Sequence, residues 1–272
     1  MFTFAEKGPV KYLESNVLRE KCGFLVHAFL TRGEGVSAGK FRSLNFSTLE
    51  GDTEKNVSRN WRILAAAFQM PPERFFTVRQ VHGDRILILK EDVKRVPSRS
   101  LQYDAIITPL RNLAIGIKTA DCVPIFLVDP GRGLIGAVHA GWRGTLLNIA
   151  GKAVDCFFKE FSSRPSDLLA VIGPAIGQCC YEVDNAVRGP LSGAMHNPAL
   201  FFRPGRTKEK WMLDLPGVNR YQLFRSGLLP ENITSAGICT SCNREVFFSH
   251  RGEGGGTGRQ LNFIMLKGPK SS

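Results

Sequence analysis

Four short apolar runs follow one another between Ala105 and His139, and they constrain the fold more than any other feature. Ala105 to Thr108, Leu113 to Lys118, Pro124 to Val128 and Leu134 to His139 each have strand length. Turn signals such as Asp129-Pro130-Gly131 separate them. A helical pattern comes next. Leu146, Ile149, Ala150, Ala153, Val154, Phe157 and Phe161 form a wide apolar stripe, so this helix packs on a sheet. Strands in succession followed by a helix do not alternate as a doubly wound sheet requires. A mixed α/β (α+β) fold is expected.

The rest of the chain extends this pattern. Phe24 to Leu30 reads as a strand leading into a glycine-punctuated loop that runs to Gly39. Val57, Trp61, Leu64 and Phe68 recur at helical spacing between Asn56 and Met70. Asp52 or Thr53 is placed to cap that helix, and Pro71-Pro72 stops it. Strands are expected over Phe75 to Val78, Ile86 to Leu89, Leu168 to Ile172, Ile233 to Ile238, Val246 to Phe248 and Leu261 to Leu266. Pro216 suits the first turn of a helix running to about Ser226. No repeat or linker divides the chain, so residues 1–272 are expected to form one domain.

Composition narrows the function class. A hydrophobic content of 43% is ordinary for a globular chain, and no apolar run is long enough to span a membrane. The charged segment Met1 to Lys11 does not resemble a signal peptide, so a cytoplasmic location is expected. Seven scattered cysteines fit a reducing compartment better than a disulfide scaffold. The net charge of +12 favours anionic partners such as phosphates or nucleotides. No basic motif with interleaved aromatics resembles a nucleic-acid module, so no specific nucleic-acid partner is expected.

Reactive groups concentrate beside glycines in three segments: Gln80-Val81-His82-Gly83, Thr119-Ala120-Asp121-Cys122-Val123-Pro124 and His139-Ala140-Gly141-Trp142-Arg143-Gly144. Each lies where an expected strand meets a turn. Two imidazoles and one thiolate match a catalytic zinc set, with three protein ligands and an open fourth position. Read without that context, Cys122 is a small buried hydrophobe and His82 a hydrogen-bonded loop residue.

These segments resemble the YfiH family, also called laccase-domain or multicopper polyphenol oxidase proteins. The likeness also covers His27-Ala28-Phe29-Leu30-Thr31-Arg32, Ser43-Leu44-Asn45-Phe46, Gly173-Pro174-Ala175-Ile176-Gly177, Tyr181-Glu182-Val183 and Cys239-Thr240. The resemblance implies layered mixed β-sheets covered by helices. It implies a zinc cofactor held by His82, Cys122 and His139, which would be the catalytic residues. It further implies phosphorolysis of adenosine, guanosine, inosine and methylthioadenosine, with adenosine deamination in the same site. The family commonly has a tyrosine where this chain has His250, and a glycine loop, Gly252 to Gly258, follows it here.

Phosphorolysis needs a cradle for a phosphate dianion, and an arginine fork bonds two of its oxygens at once. Arg143 is the first candidate and Arg251 the second; each is otherwise a structural ion pair. Asn45 is a candidate contact to base or ribose, or a turn residue. Asp121 either orients a ligand imidazole through its second nitrogen or caps its turn. His250 is either an extra acid or base or, as a lone histidine with no stated partner suggests, a solvent-facing replacement for that tyrosine. The glycine loop lacks the Lys-Ser/Thr of a phosphate-binding loop and reads as a flexible hairpin tip or a lid.

Cys239-x-x-Cys242 has zinc-knuckle spacing, but the adjacent Cys179 and Cys180 complete four thiolates only with awkward geometry, so a second metal site is not expected. Competing readings are a copper-dependent polyphenol oxidase, a Cys-His hydrolase using Cys122 and His139, and a non-enzymatic zinc-binding module. Five histidines are too few for a multicopper cluster.

Overall fold

The computed structural model describes residues 1–91 and 101–268. The chain opens with β1 (Phe2–Lys7), β2 (Val10–Ser15), α1 (Asn16–Lys21) and β3 (Leu25–Leu30), followed by α2 (Glu54–Phe68), β4 (Phe75–Thr77) and β5 (Ile86–Ile88). The expected strand series is β6 (Ala105–Thr108), β7 (Ala114–Thr119), β8 (Val123–Asp129) and β9 (Leu134–Ala140). Then come α3 (Trp142–Leu146), α4 (Ile149–Phe161), β10 (Leu169–Ile172), β11 (Glu182–Val183) and α5 (Asn185–Gly193). The chain continues with β12 (Phe202–Pro204), β13 (Trp211–Leu213), α6 (Leu215–Arg225), β14 (Ile233–Ser235) and β15 (Gln260–Leu266).

Two six-stranded sheets carry the architecture, in the orders β1-β2-β3-β15-β7-β4 and β14-β10-β8-β9-β6-β5; β11, β13 and β12 form a third, small sheet. The large sheets pack face to face. Phe29 of β3 stacks on Phe126 of β8 across the interface, with ring centroids 4.5 Å apart. Period-two alternation sorts β8: Phe126 and Val128 point into this inter-sheet core, while Ile125 and Leu127 point to the other face. There they meet Ala153, Val154 and Phe157 of α4 and Val218 and Leu223 of α6. The outer face of the first sheet is closed by Leu64 and Ala65 of α2 against Tyr12, Leu30 and Phe263. The layers therefore run helix, sheet, sheet, helix. Every residue of β8 and β9 is buried, which is why these strands read as unbroken apolar runs.

Several local expectations change. The helix drawn through Leu146 to Phe161 is two helices. Leu146 ends α3, and Asn148 takes a left-handed conformation whose side chain accepts the Gly151 amide to cap α4. Asparagine tolerates that backbone and supplies the cap oxygen. Thr53, not Asp52, caps α2, accepting from the Asn56 amide. Val246 to Phe248 is not a strand: the segment turns, and Phe247 and Phe248 are buried by packing rather than by pairing. The strand from Ile233 stops at Ser235. The β1–β2 hairpin, α5 and the small sheet had no clear periodic signal. Among the described residues no helix is long and apolar enough to cross a membrane.

His27 belongs to this scaffold. It is buried on β3, and its Nε2 accepts the Ser15 amide at 2.9 Å, which requires that nitrogen unprotonated. Burial pushes its pKa down to about 4. The unfolded chain, with an ordinary histidine near 6.5, then binds the proton more readily. Stability is full above pH ~6.5 and falls as pH drops toward 4, by up to about 3 kcal/mol from this residue. Urea unfolding of the wild type and His27→Gln across that range should show a flatter pH dependence in the variant. Equal slopes would remove His27 as the source.

Candidate active site

Strand register builds the site. Antiparallel pairing sets Val123 opposite Ala140 and Pro124 opposite His139, so the start of β8 lies beside the end of β9. Pairing of Ala105 with Val138 brings Asp104 alongside, and the Asp104 carbonyl accepts the His139 amide at 2.7 Å. Cys122 precedes β8 and His139 lies near the end of β9. His82 comes from the loop between β4 and β5, with a left-handed backbone at φ 60°. Ligand-capable atoms of His82, Cys122 and His139 all lie within 4.8 Å of one another. The two imidazoles meet edge to face at 4.9 Å. Gly141 makes this approach feasible: a Cβ there would lie 2.9 Å from His82 Cδ2 and 3.2 Å from Cys122 Sγ.

The residue that organises this cluster is Asp104, which the sequence reading missed. Its carboxylate is fully buried. Oδ1 lies 2.8 Å from His139 Nδ1 and accepts the His82 amide at 3.0 Å; Oδ2 accepts the Gly83 amide at 2.7 Å and the Val81 amide at 3.3 Å. One side chain thus fixes the His139 ring, leaving Nε2 for the cluster, and holds the His82 loop. Burial raises the Asp104 pKa, but the His139 contact and the loop amides outweigh it and hold the carboxyl below its ordinary value. An aspartate bordering an apolar run carries no sequence signal of this role.

Asp121, which the sequence left as either that orienting group or a turn cap, bonds elsewhere. Its oxygens accept Thr240 Oγ1 at 2.6 Å, Ser249 Oγ at 2.7 Å and the Arg251 amide at 2.6 Å. It ties the 239–251 segment to the strand that follows Cys122. Burial resists ionisation of the Cys122 thiol, yet His139 and His82 outweigh it and pull its pKa down to about 6. Burial likewise opposes charge on His139, but the Cys122 and Asp104 charges push it up to about 9. With no ion bound, both shifts favour a Cys122 thiolate paired with a His139 imidazolium at neutral pH.

The cluster sits in a cleft of about 1280 Å³ whose walls include Arg62, Arg79, Arg143, Arg251 and Arg259. Part of the chain's positive charge is thus focused on one cavity. Arg143 is exposed on α3 and lies over the Trp142 ring at 4.5 Å, and its guanidinium makes no hydrogen bond to another described residue. Arg251 stacks on Tyr181 at 5.2 Å and donates Nη1 to the Glu182 carbonyl. His250 is exposed in the same wall. Asn45 serves in its turn. It is fully buried, its Nδ2 donates to Asp52 and the Ser47 carbonyl, and its Oδ1 accepts the Ser47 and Arg259 amides. Both amide atoms are engaged in shaping the loop, which is the turn-residue role of the two the sequence allowed. Nor is the glycine loop a free tip: Thr257 is buried and Glu253 pairs with Arg32. Against expectation, Cys179, Cys180, Cys239 and Cys242 converge, with their sulfurs within 4.8 Å of one another.

This geometry has relatives. A purine nucleoside phosphorylase, YlmD of Geobacillus stearothermophilus, is 38% identical over 248 residues, covering 88% of this chain and 89% of the relative. An adenosine deaminase, RL5 of an unknown prokaryote, is 31% identical over 248 residues, 89% of this chain and 94% of its own. The crystal structure of the hypothetical protein YfiH of Bacillus licheniformis superposes with a TM-score of 0.89 at 34% identity, covering 97% of this chain and 99% of that one. The family profile described as multi-copper polyphenol oxidoreductase laccase matches residues 26–267, a span that includes both sheets' central strands and all three converging side chains. With that span and those identities, the chain belongs to the multi-copper polyphenol oxidoreductase laccase family, the YfiH proteins.

Proposed function

We propose that this chain is a zinc-dependent purine nucleoside phosphorylase, acting on adenosine, guanosine, inosine and S-methyl-5'-thioadenosine, with adenosine deamination in the same cleft. The observation that carries the reading is the convergence of His82, Cys122 and His139 at an arginine-lined cleft. Relatives named as phosphorylase and as adenosine deaminase support the two activities. The donor set fits zinc: two imidazoles, one of them anchored by a buried carboxylate, and one thiolate leave a fourth position open. When bound, the ion supplies Lewis acidity at that open position. A multicopper centre fits poorly. His27 is engaged with Ser15 on β3, and His196 is not in the cleft wall, which leaves few imidazoles for several coppers.

The chain's own residues supply the rest. Asp104 holds His139 in one tautomer and the His82 loop in one conformation, so neither ligand needs to reorganise. Trp142 and Tyr181 offer flat apolar faces to a purine. The phenol of Tyr181 stays protonated, because burial and the nearby Cys122 charge raise its pKa. Arg143 and Arg251 hold phosphate against the sugar carbon while the bond to the base breaks, a reading supported by their presence in the cleft wall. The partners are then purine nucleosides and phosphate, and residues 1–272 act as one catalytic domain. Seven free cysteines fit a cytoplasmic, reducing location.

One observation favours a second reading. A thiolate paired with an imidazolium is the activated state of a Cys-His nucleophile, and Cys122 and His139 are tuned that way. Metal content and phosphate dependence separate the two. Protein purified without added metal should contain zinc, and release of free base from adenosine should require phosphate. Base release without phosphate, or stoichiometric copper with negligible zinc, overturns the proposal.

Arg143→Ala tests the phosphate site. Charge-assisted hydrogen bonds contribute about 1.5–3 kcal/mol, so the apparent KM for phosphate should rise roughly 10- to 100-fold while zinc content stays unchanged. An unaltered phosphate KM removes Arg143 from that role.

A further inference from the structure

We infer that Cys179, Cys180, Cys239 and Cys242 form a second metal centre, a closed four-thiolate zinc site that holds one wall of the cleft together. All four sulfurs lie within 4.8 Å of one another, with Cys179 and Cys180 Sγ at 3.5 and 3.4 Å from Cys242 Sγ. Zinc–sulfur bonds of about 2.3 Å make a tetrahedron with sulfur–sulfur edges of roughly 3.8 Å. The observed spacing is close to that edge and far from a disulfide bond of about 2.05 Å. A polynuclear iron–sulfur core needs its thiolates spread around a larger body. Four protein ligands, with no open position, mark a structural site rather than a catalytic one.

The backbone is shaped for the sulfurs. Cys179 and Cys180 lie in a tight turn in which the Cys180 and Tyr181 amides both bond the Gly177 carbonyl at 3.0 Å. Cys239 and Cys242 lie in a second turn, closed by the Asn243 amide on the Cys239 carbonyl at 3.2 Å. A bridge between Ala175 and Cys239 sets the two turns side by side. The Gly177 amide donates to Cys239 Sγ at 3.2 Å, and the Cys242 amide also bonds that sulfur. Amide hydrogen bonds of this kind support metal-bound thiolates. A Cβ on Gly177 would lie 3.2 Å from Cys179 Sγ and 3.2 Å from Cys239 Cβ, so glycine keeps that space for sulfur. Cys179 and Cys242 are exposed, which leaves an entry path for an ion.

The position gives the site a role. The first turn runs directly into Tyr181 of the cleft wall. The second contains Thr240, which donates to Asp121, the neighbour of Cys122. Cross-linking turns separated by 63 residues fixes both against the end of β8. The inference does not depend on the chemistry proposed for the cleft.

The test combines zinc analysis with cobalt substitution, using full-length chain purified under reducing conditions. The wild type should hold two zinc ions, Cys122→Ala one, and Cys179→Ser/Cys242→Ser one. Cobalt loaded into the Cys122→Ala chain should give intense thiolate-to-cobalt charge-transfer absorption with tetrahedral visible bands, which needs no folded variant of the four cysteines. One zinc in the wild type, kept by Cys122→Ala and lost with the serine pair, supports this site and removes the cleft metal instead. Absence of the four-thiolate cobalt spectrum overturns the inference. So does a disulfide within the cluster that persists under reducing conditions.

Discussion

Cys122→Ala is expected to lose both the cleft zinc and nucleoside phosphorolysis while the fold persists. The Cys122 sulfur lies within 4.8 Å of a nitrogen of each histidine, and its removal leaves only two imidazoles to hold an ion. Loss of a direct ligand should exceed the 10- to 100-fold effect typical of outer-shell changes, so metal affinity and turnover should each fall more than ~100-fold. The fold should survive because Cys122 belongs to none of the three hydrophobic cores; it sits at their rim, half-buried. Elemental analysis, circular dichroism and phosphate-dependent base release on one preparation decide the matter. Full retention of zinc with abolished chemistry would sink the ligand role and establish Cys122 as a nucleophile.

Asp104→Ala should be the most damaging single change near the site that touches no metal. It strips an acceptor from three loop amides and from His139 Nδ1 at once. A buried donor left without a partner costs about 1–3 kcal/mol, so a loss of roughly 3 kcal/mol or more of stability is expected. Zinc affinity should drop about 10- to 100-fold, because His139 loses its tautomer and His82 its loop conformation. Asp104→Asn keeps the shape but offers one acceptor oxygen in place of two, and should fall between. Urea midpoints and competition with a coloured chelator separate the two effects. Lower stability with unchanged zinc affinity would confine Asp104 to holding the fold.

Local chemistry made much of this protein legible before its structure. β6 to β9 were readable because coverage of both faces makes each strand mostly apolar. α2 and α6 carry their start signals, Thr53 and Pro216, in the first turn. His82, Cys122 and His139 stood out because reactive side chains beside glycines at strand ends are uncommon. Periodicity and residue type are properties of neighbours in sequence and sufficed for these elements, whereas the reading of the three side chains as a ligand set came from the family resemblance. Val246 to Phe248 shows the limit of that rule, since two aromatic residues buried by a turn look the same as two residues in a strand.

Tertiary structure decided what depends on residues far apart in the chain. The last strand, β15, inserts between β3 and β7, and no local pattern specifies that partner choice. Asp104 became the organiser of the site through the register of β6 against β9, while Asp121, nearer the ligand in sequence, was drawn to Thr240 and Ser249 more than a hundred residues away. The sequence left Asn45 between a substrate contact and a turn residue, and its bonds to Asp52 and Arg259 form only in the folded chain. The spacing of Cys239 and Cys242 hinted at a metal site, but the four sulfurs met only because a bridge at Ala175 and Cys239 aligned two turns far apart in the chain. In each case the deciding quantity was the position of one hydrogen-bonding or ligating atom relative to another. Strand register and sheet packing set such positions, and residue spacing along the chain does not encode them.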